Sequence, residues 1–341
     1  MHKRFCLIAF SAAAVSTIAA QTGAMAGPQS GYLVDPASRV VRPIQGLLGG
    51  ATIGPPVDTR MAFSGVVVSP RGDYALGVGA EDRKLWLVQP GQAGAGMVTE
   101  VPGAMPSADS IVPSAAGSHA LVFSAGSNQL QILAGLPSSP VVVREMNIGL
   151  LPGSPTAMSV SEDGNIILVA TSDQNTGFLY RFAPQEDARL LSAVSRVSAI
   201  AFSSRGDAVF ADAGANTVVL IQSVAAPGAF IPLARGQDGV DSPVGVAFSV
   251  DGSAVYVANG GAAHTVMILD LSGGLPRSIL CPCAPTALQG VDLAAFRLTD
   301  ALSEAVWFLE VGGPEPRVVF VPPPQLGGAP GPGRPRRPER D

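Results

Sequence analysis

The sequence contains few of the residues on which most catalytic and metal sites depend. Histidine and cysteine occur three times each in 341 residues, and charged residues make up only 14% of the chain. No CxxC pair and no pair of neighbouring histidines supplies the soft ligands of a zinc site. No G-x-S-x-G element marks the nucleophile of a serine hydrolase, although a triad assembled from distant residues stays open. The composition therefore offers little material for nucleophilic or metal chemistry.

Lysine is almost absent, and Lys84 is the only one after Lys3. The formal net charge is −5, and it becomes −7 if Lys3 and Arg4 are removed with the N-terminal leader described next. Nucleic acids and anionic membrane surfaces bind basic proteins through their phosphates. We therefore expect no nucleic-acid partner for this acidic chain.

The apolar stretch at the N-terminus is short. Lys3 and Arg4 precede an apolar run over residues 5–20, which Ala24-Met25-Ala26 follows. A charged start, a short apolar run and an A-x-A site are typical of a secretory signal, so we predict a signal peptide over residues 1–26. The alternative, an uncleaved membrane anchor, fits less well because the run is short and rich in Ala and Ser. The mature protein is then expected to be periplasmic or secreted, without a transmembrane segment.

Glycine is abundant, with 40 residues, and it recurs at the turns of a repeated unit. The clearest copy is VGVAFSVDGSAVYVANGGAAHTVMILDL, residues 244–271, in which apolar runs flank an Asp-Gly turn and an Asn-Gly-Gly loop. Runs that are apolar at odd and even positions indicate strands covered on both faces. Turn glycines recur at spacings of 45, 47, 42 and 46 residues, at Gly72, Gly117, Gly164, Gly206 and Gly252. This period predicts one four-stranded β-propeller blade per unit.

The segment VYVANGGAAHTVMILDL resembles the YVTN-type bacterial β-propeller repeat. It shares a tyrosine-containing strand, a polar glycine loop and a Thr-Val strand closed by Asp. The resemblance covers roughly residues 60–275, clearly in one unit and weakly in the others. It implies a propeller fold and an exported location. Propellers of this kind include both enzymes and scaffolds, so the resemblance does not give a function.

We predict an all-β fold, a β-propeller of about six four-stranded antiparallel blades over residues 27–322. Five clear units precede residues 284–322, which fit a sixth blade, although residues 288–305 also fit a helical period. Residues 31–45 form two further strands that can close the ring against the last blade, so seven blades are the alternative. Residues 323–341 are rich in Pro, Gly and Arg and have no apolar pattern, and we predict that they are disordered.

Cys281 and Cys283 are the only cysteine pair left after signal cleavage. In an oxidising compartment they can join as a disulfide, although so short a loop is strained. A redox or metal role is the alternative, but no Lys or His nearby in sequence would lower the pKa of a thiol. A structural disulfide is the favoured interpretation.

In a propeller, the loops before the innermost strands converge on the entrance of the central channel, where ligands bind. We predict ligand contacts at these positions: Asp109, Ser110, Thr156, Asp241, Ser242 and Thr286. Calcium needs about six to eight oxygen ligands, whereas the carboxylates here are scattered singly. We therefore assign no metal ligand, no catalytic residue and no cofactor, with calcium as the one cofactor left open.

The favoured hypothesis is a non-catalytic, exported and monomeric propeller that acts as an interaction or ligand-binding scaffold. Its partner is an unknown protein or small molecule. The alternative is a propeller hydrolase, lactonase or lyase with a metal at the central channel. Three or more acidic or histidine side chains at one channel entrance would favour the enzyme, whereas an entrance of Ser, Ala and Pro would favour the scaffold.

Overall fold

The computed structural model describes residues 28–91, 94–173, 176–226, 228–300, 302 and 304–324. The predicted signal peptide, residues 1–26, and nearly all of the predicted tail, residues 323–341, lie outside this part of the chain. The described residues form seven antiparallel sheets in sequence order. None of the helices among them is both long and apolar enough to cross a bilayer. The chain is therefore an all-β propeller of seven blades.

Each blade is a continuous stretch of chain whose strands pair in sequence order. Blades 1 and 2 contain β1 (Gln29–Val34), β2 (Val41–Gln45), β3 (Thr52–Ile53), β4 (Phe63–Val68), β5 (Ala75–Gly79), β6 (Leu85–Pro90) and β7 (Gly96–Glu100). Blades 3 and 4 contain β8 (Ser110–Pro113), β9 (Ala120–Ser124), β10 (Gln129–Ala134), β11 (Val141–Asn147), β12 (Ser154–Val160), β13 (Ile167–Ser172), β14 (Gly177–Phe182) and β15 (Arg189–Val194). Blades 5 and 6 contain β16 (Val197–Phe202), β17 (Ala208–Asp212), β18 (Thr217–Ile221), β19 (Phe230–Arg235), β20 (Pro243–Phe248), β21 (Ala254–Asn259), β22 (Thr265–Asp270) and β23 (Arg277–Leu280). Blade 7 contains β24 (Gln289–Asp292), β25 (Ala295–Arg297), β26 (Val306–Glu310) and β27 (Arg317–Val321).

The blade count is seven, so the expectation of about six was one too low and its alternative is the one found. The two predicted strands of residues 31–45 become β1 and β2, and a two-residue β3 completes a three-stranded sheet among the described residues. Strand β1 contacts β24 on one side and β4 on the other. The N-terminal strands therefore form a blade of their own between the last blade and blade 2.

The apolar runs of the sequence are the middle strands of the blades. Every residue of β5, β9 and β17 is buried, because neighbouring blades cover both faces of these strands. The core lies between consecutive blades; for example, Tyr74 and Leu76 of blade 2 pack with Ile111 and Val122 of blade 3. Each fully buried Leu or Val contributes about 1.5–3 kcal/mol. The outer strand β11 instead alternates exposed and half-buried residues, as expected at the rim.

The turn between the first and second strands has one construction in blades 2 to 6. A serine lies three residues before the turn glycine, and its carbonyl accepts the glycine N–H at 2.9–3.3 Å. The serine hydroxyl accepts a second amide N–H, at or just before the start of the second strand. The glycines have φ of +67° to +85°, which favours Gly. The pairs are Ser69 with Gly72, Ser114 with Gly117, Ser161 with Gly164, Ser203 with Gly206, and Ser249 with Gly252.

Blade 7 is built of strands, so the helical alternative for residues 288–305 is wrong. Strands β24 and β25 pair around a turn in which Asp292 Oδ1 accepts the Ala294 N–H at 2.7 Å. Phe296 and Leu309 then pair across β25 and β26, which extends the sheet outwards. The first strand begins at Gln289 rather than Thr286, and the Thr286 and Ala287 amides both donate to the Leu298 carbonyl, at 2.8 and 3.3 Å, instead of forming a ladder.

Candidate functional site: the pocket at the channel entrance

A pocket of about 500 Å³ opens where the innermost strands of blades 3 to 7 begin. Its walls come from the first strands of four blades, from Asp109 just before β8 and Phe123 of β9, and from the segment that leads into β24. The lining residues are Asp109, Ser110, Val112, Phe123, Pro155, Thr156, Ala157, Met158, Ser198, Ala199, Ile200, Val244, Gly245, Val246, Ala287 and Leu288. Blades 1 and 2 contribute none of them, so the pocket is displaced from the ring closure.

A β-bulge shapes the rim of this pocket. The pairing register shifts at Ser64, Thr156, Ser198 and Val244, at the start of the first strand of blades 2, 4, 5 and 6. All four residues lie eight positions before the turn glycine of their blade. A bulge leaves one residue out of the ladder and turns its side chain aside, and bulges are frequent next to binding sites. Three of these four residues line the pocket.

Three predicted contact residues line the pocket: Asp109, Ser110 and Thr156. Asp109 is exposed, and its Oδ2 accepts the Ala125 N–H at 2.7 Å. Thr156 is exposed at its bulge. The structure therefore brings these three side chains together at the rim of one pocket.

The other three predicted contact residues lie beside the pocket and support loops. Asp241 Oδ2 accepts the Ala263 N–H at 3.0 Å. The Ser242 N–H donates to Asn216 Oδ1 at 2.8 Å, with Ser242 in the left-handed region at φ +47°. Thr286 Oγ1 donates to Asp300 Oδ2 at 3.1 Å. The lining positions of these segments are instead Val244 and Ala287.

Sequence reasoning missed Ser198 and the apolar residues Met158, Ile200 and Val246. The signal that identifies them is a fixed count along each unit. Ser198 is eight residues before its turn glycine, as Thr156 is, and the three apolar residues are each six before theirs. Counting back from Gly252 in the same way gives Val244 rather than Asp241.

The polar and the apolar side chains of the pocket come from different blades. The side chains with carboxylate or hydroxyl groups come from blades 3 to 5: Asp109, Ser110, Thr156 and Ser198. The lining residues of blades 6 and 7 are Gly or apolar. Val112, Met158, Ile200 and Val246 follow two or three residues further along the first strands, about 7–10 Å deeper at ~3.3 Å per residue. The channel therefore has a half-polar rim above an apolar interior.

The segment of residues 281–288 leads from the outer strand of blade 6 to this pocket. Cys281 and Cys283 are joined as a disulfide with a Cα–Cα distance of 5.0 Å, and the Cys281 N–H donates to the His264 carbonyl at 2.8 Å. Leu288 then packs directly against Gly245, where an added Cβ would lie 2.5 Å from the Leu288 Cβ. Glycine at 245 therefore lets this segment reach the channel wall.

His119 lies outside the pocket, at the turn between the first two strands of blade 3. His119 adjoins the turn at Gly117, and its Nδ1 is 2.8 Å from Ser118 Oγ, whose hydroxyl donates to Glu162 Oε1. Glu162 accepts the Ala116 N–H as well, so the carboxylate fixes the turn of blade 3 from blade 4. Within the described ranges, no group of three or more His, Cys, Asp or Glu is arranged to hold a metal ion.

No protein-family model matches the chain, and no curated protein matches it. Solved structures do share its fold. A protein of unknown function from Desulfotomaculum acetoxidans has 16% identity and a TM-score of 0.51, over 73% of this chain and 78% of that one. Virginiamycin B lyase from Staphylococcus aureus has 14% identity and a TM-score of 0.53, over 78% and 86%. Hydrazine synthase from Kuenenia stuttgartiensis has 14% identity and a TM-score of 0.53, over 83% and 89%. At these identities the likeness is one of fold.

Proposed function

We propose that this protein is an exported, non-catalytic propeller that binds a ligand in the channel-entrance pocket of blades 3 to 7. The observation that carries the proposal is the pocket itself. Its volume of about 500 Å³ is in the range of small-molecule sites, and it combines apolar side chains with a few hydroxyl groups and one carboxylate, as such sites do. A small molecule, or one side chain of a protein partner, fits such a space.

The ionisable groups at the pocket favour binding over catalysis. General acid–base chemistry needs positioned proton donors and acceptors with matched pKa values. Among the described lining residues, Asp109 alone carries an ionisable side chain. The fold shared with virginiamycin B lyase keeps a lyase as the alternative, and turnover of a bound compound by the wild-type protein would favour it.

Export is the second part of the proposal. Its support is the charged, apolar and A-x-A pattern of residues 1–26, together with a disulfide that suits an oxidising compartment. Expression of the full chain in a bacterial host, followed by mass spectrometry of the periplasmic fraction, tests it. The exported product should begin at Gly27, and Ala26→Phe should block this cleavage. A full-length product confined to the cytoplasm would contradict export.

The binding proposal is tested with a fragment library and ligand-detected NMR on residues 27–341. Thr156→Trp places an indole at the rim without disturbing the core, because Thr156 is exposed. The matched control is Ala188→Trp, in the exposed loop between β14 and β15 and outside the lining. We expect fragments that bind the wild type and Ala188→Trp but lose binding to Thr156→Trp. Fragments that bind all three proteins alike would show that the pocket is not the site.

A further inference from the structure

The charge at the pocket has one sign. Asp109 is the ionisable residue among the described lining residues, and no lining residue is Lys, Arg or His. The salt bridges of the described chain leave Asp109 out. The whole chain is also acidic, with a formal net charge of −5. The local and the overall field therefore attract cations to the entrance and repel anions.

The Asp109 carboxylate is oriented but only partly used. Oδ2 accepts the Ala125 N–H at 2.7 Å, which fixes the rotation of the group. Oδ1 has no hydrogen-bond partner among the described residues, and the side chain is exposed. A carboxylate held in this way offers one free oxygen to a donor on a ligand, and hydrogen bonds between charged groups are the stronger ones.

The space beyond Asp109 is apolar. Met158, Ile200 and Val246 lie deeper in the channel, and the lining residues of blades 6 and 7, which include Val244 and Leu288, are apolar or Gly. A ligand that fills this space gains binding free energy from the removal of apolar surface from water. A charged group placed there would lose its hydration without a partner. The charge of a ligand must therefore stay at the rim.

We propose that the pocket selects compact apolar molecules that carry one protonated amine. The ammonium group binds Asp109 at the rim, and the apolar body enters the channel towards Met158 and Ile200. This inference rests on the proposed function, because it names the ligand class of the same pocket. It also predicts that carboxylates of the same shape are rejected.

Three probes with one apolar body test this selection: 4-phenylbutylamine, 4-phenylbutanol and 4-phenylbutyrate. Titration calorimetry on residues 27–341 at low salt should rank the amine first and the carboxylate last. A hydrogen-bonded ion pair at an exposed rim should give the amine a threefold to tenfold advantage over the alcohol, roughly. The advantage should shrink as salt is added.

Asp109→Asn should remove this advantage while leaving the affinity for the alcohol unchanged. The Asn side-chain oxygen can still accept the Ala125 N–H, so the loop keeps its support. The matched control is Asp187→Asn, which makes the same charge change at an exposed position outside the lining. It should keep the amine advantage.

The outcomes separate the two proposals. If the alcohol binds as tightly as the amine and Thr156→Trp blocks both, amine selection is wrong and binding in the pocket stands. An amine advantage that persists in Asp109→Asn also overturns the selection. If none of the three probes binds, the selection is overturned, and the proposed function falls only if the fragment screen finds no pocket ligand either.

Discussion

Blades 2 to 6 and blades 7 and 1 solve the same problem, a tight turn beside the channel, in different ways. The five middle blades use a serine and a glycine in left-handed conformation, with both hydrogen bonds within one turn. Blades 1 and 7 lack this serine–glycine pair, and a carboxylate accepts the turn amide: Asp35 Oδ1 accepts the Ala37 N–H, and Asp292 Oδ1 accepts the Ala294 N–H. The serine–glycine turn is therefore absent from the two blades that pack against each other to close the ring.

Closure depends on contacts between the two ends of the chain. Leu33 and Ile44 of blade 1 share a core with Val291 and Phe308 of blade 7. Arg297 Nη1 donates to the Val34 carbonyl at 3.0 Å, across 263 positions of sequence. The comparison shows that the middle blades are specified locally, whereas closure needs long-range packing whose loop-closure entropy is large. Four experiments can break or sharpen it.

The largest loss of stability is expected at Gly31, where the backbone of blade 1 lies against that of blade 7. Gly31 has φ +102°, and an added Cβ would lie 2.3 Å from the Val291 carbonyl oxygen. Gly31→Ala should lower the free energy of unfolding by about 3 kcal/mol, from backbone strain and the clash together. Gly49→Ala isolates the strain, because φ is +91° there and nothing lies within 4 Å. It should cost about 1 kcal/mol in urea unfolding. If the two variants lost equal stability, the close contact between Gly31 and the Val291 carbonyl would add nothing to the backbone strain.

A smaller loss of stability is expected when the guanidinium group of Arg297 is replaced. Its guanidinium also donates to Gln289 Oε1 at 3.0 Å and to Asp300 Oδ1 at 2.6 Å, and the side chain is 9% exposed. Arg297→Lys keeps the charge but cannot reach all three partners, so it should destabilise by about 1–2 kcal/mol. Arg317→Lys, on an exposed pair with Glu310, should change stability by less than about 0.5 kcal/mol. If Arg317→Lys lowered the stability as much as Arg297→Lys, the contacts of Arg297 at the ring closure would matter no more than an exposed ion pair.

The local turns predict a pH effect at Asp251. The Ser249 hydroxyl and the Ser253 amide and hydroxyl donate to this carboxylate and lower its pKa from 3.8 to about 2. Because the pKa is lowered in the folded state, the contribution to stability is present above about pH 4 and is lost as the pH falls towards 2. In an NMR titration, Ser249→Ala should raise the pKa of Asp251 towards 3.8, whereas Ser249→Thr should keep it low. A pKa that Ser249→Ala leaves unchanged would contradict the turn's role.

The smallest effect on stability is expected when metal ions are removed from the protein. The lining contains one carboxylate, far fewer oxygen ligands than calcium requires. We expect the melting temperature of residues 27–341 to stay the same with chelator and with added Ca²⁺, because a ligand that does not bind the native state cannot stabilise it. Stoichiometric metal, or a clear rise with Ca²⁺, would favour the metal-dependent enzyme instead.

Half of the predicted contact residues line the pocket, and the reason is register. Asp109 and Thr156 were placed correctly because each lies eight residues before its turn glycine. Asp241 and Ser242 lie three and two positions ahead of the equivalent residue, Val244. In a strand, a shift by one residue exchanges the two faces, and the bulge adds a further residue that no apolar pattern reveals. Asp241 was predicted as a ligand contact because of its carboxylate, but the position of a residue in the repeat determines whether it lines the pocket.

The amino-acid sequence by itself determined the all-β blades, their turns and their order, because hairpin turns and two-sided apolar runs are local properties. The tertiary structure decided the number of blades, since β1 becomes a separate blade only through simultaneous contacts with β24 and β4. It also decided that the pocket belongs to blades 3 to 7, because its lining residues are far apart in sequence and meet only when the ring has closed.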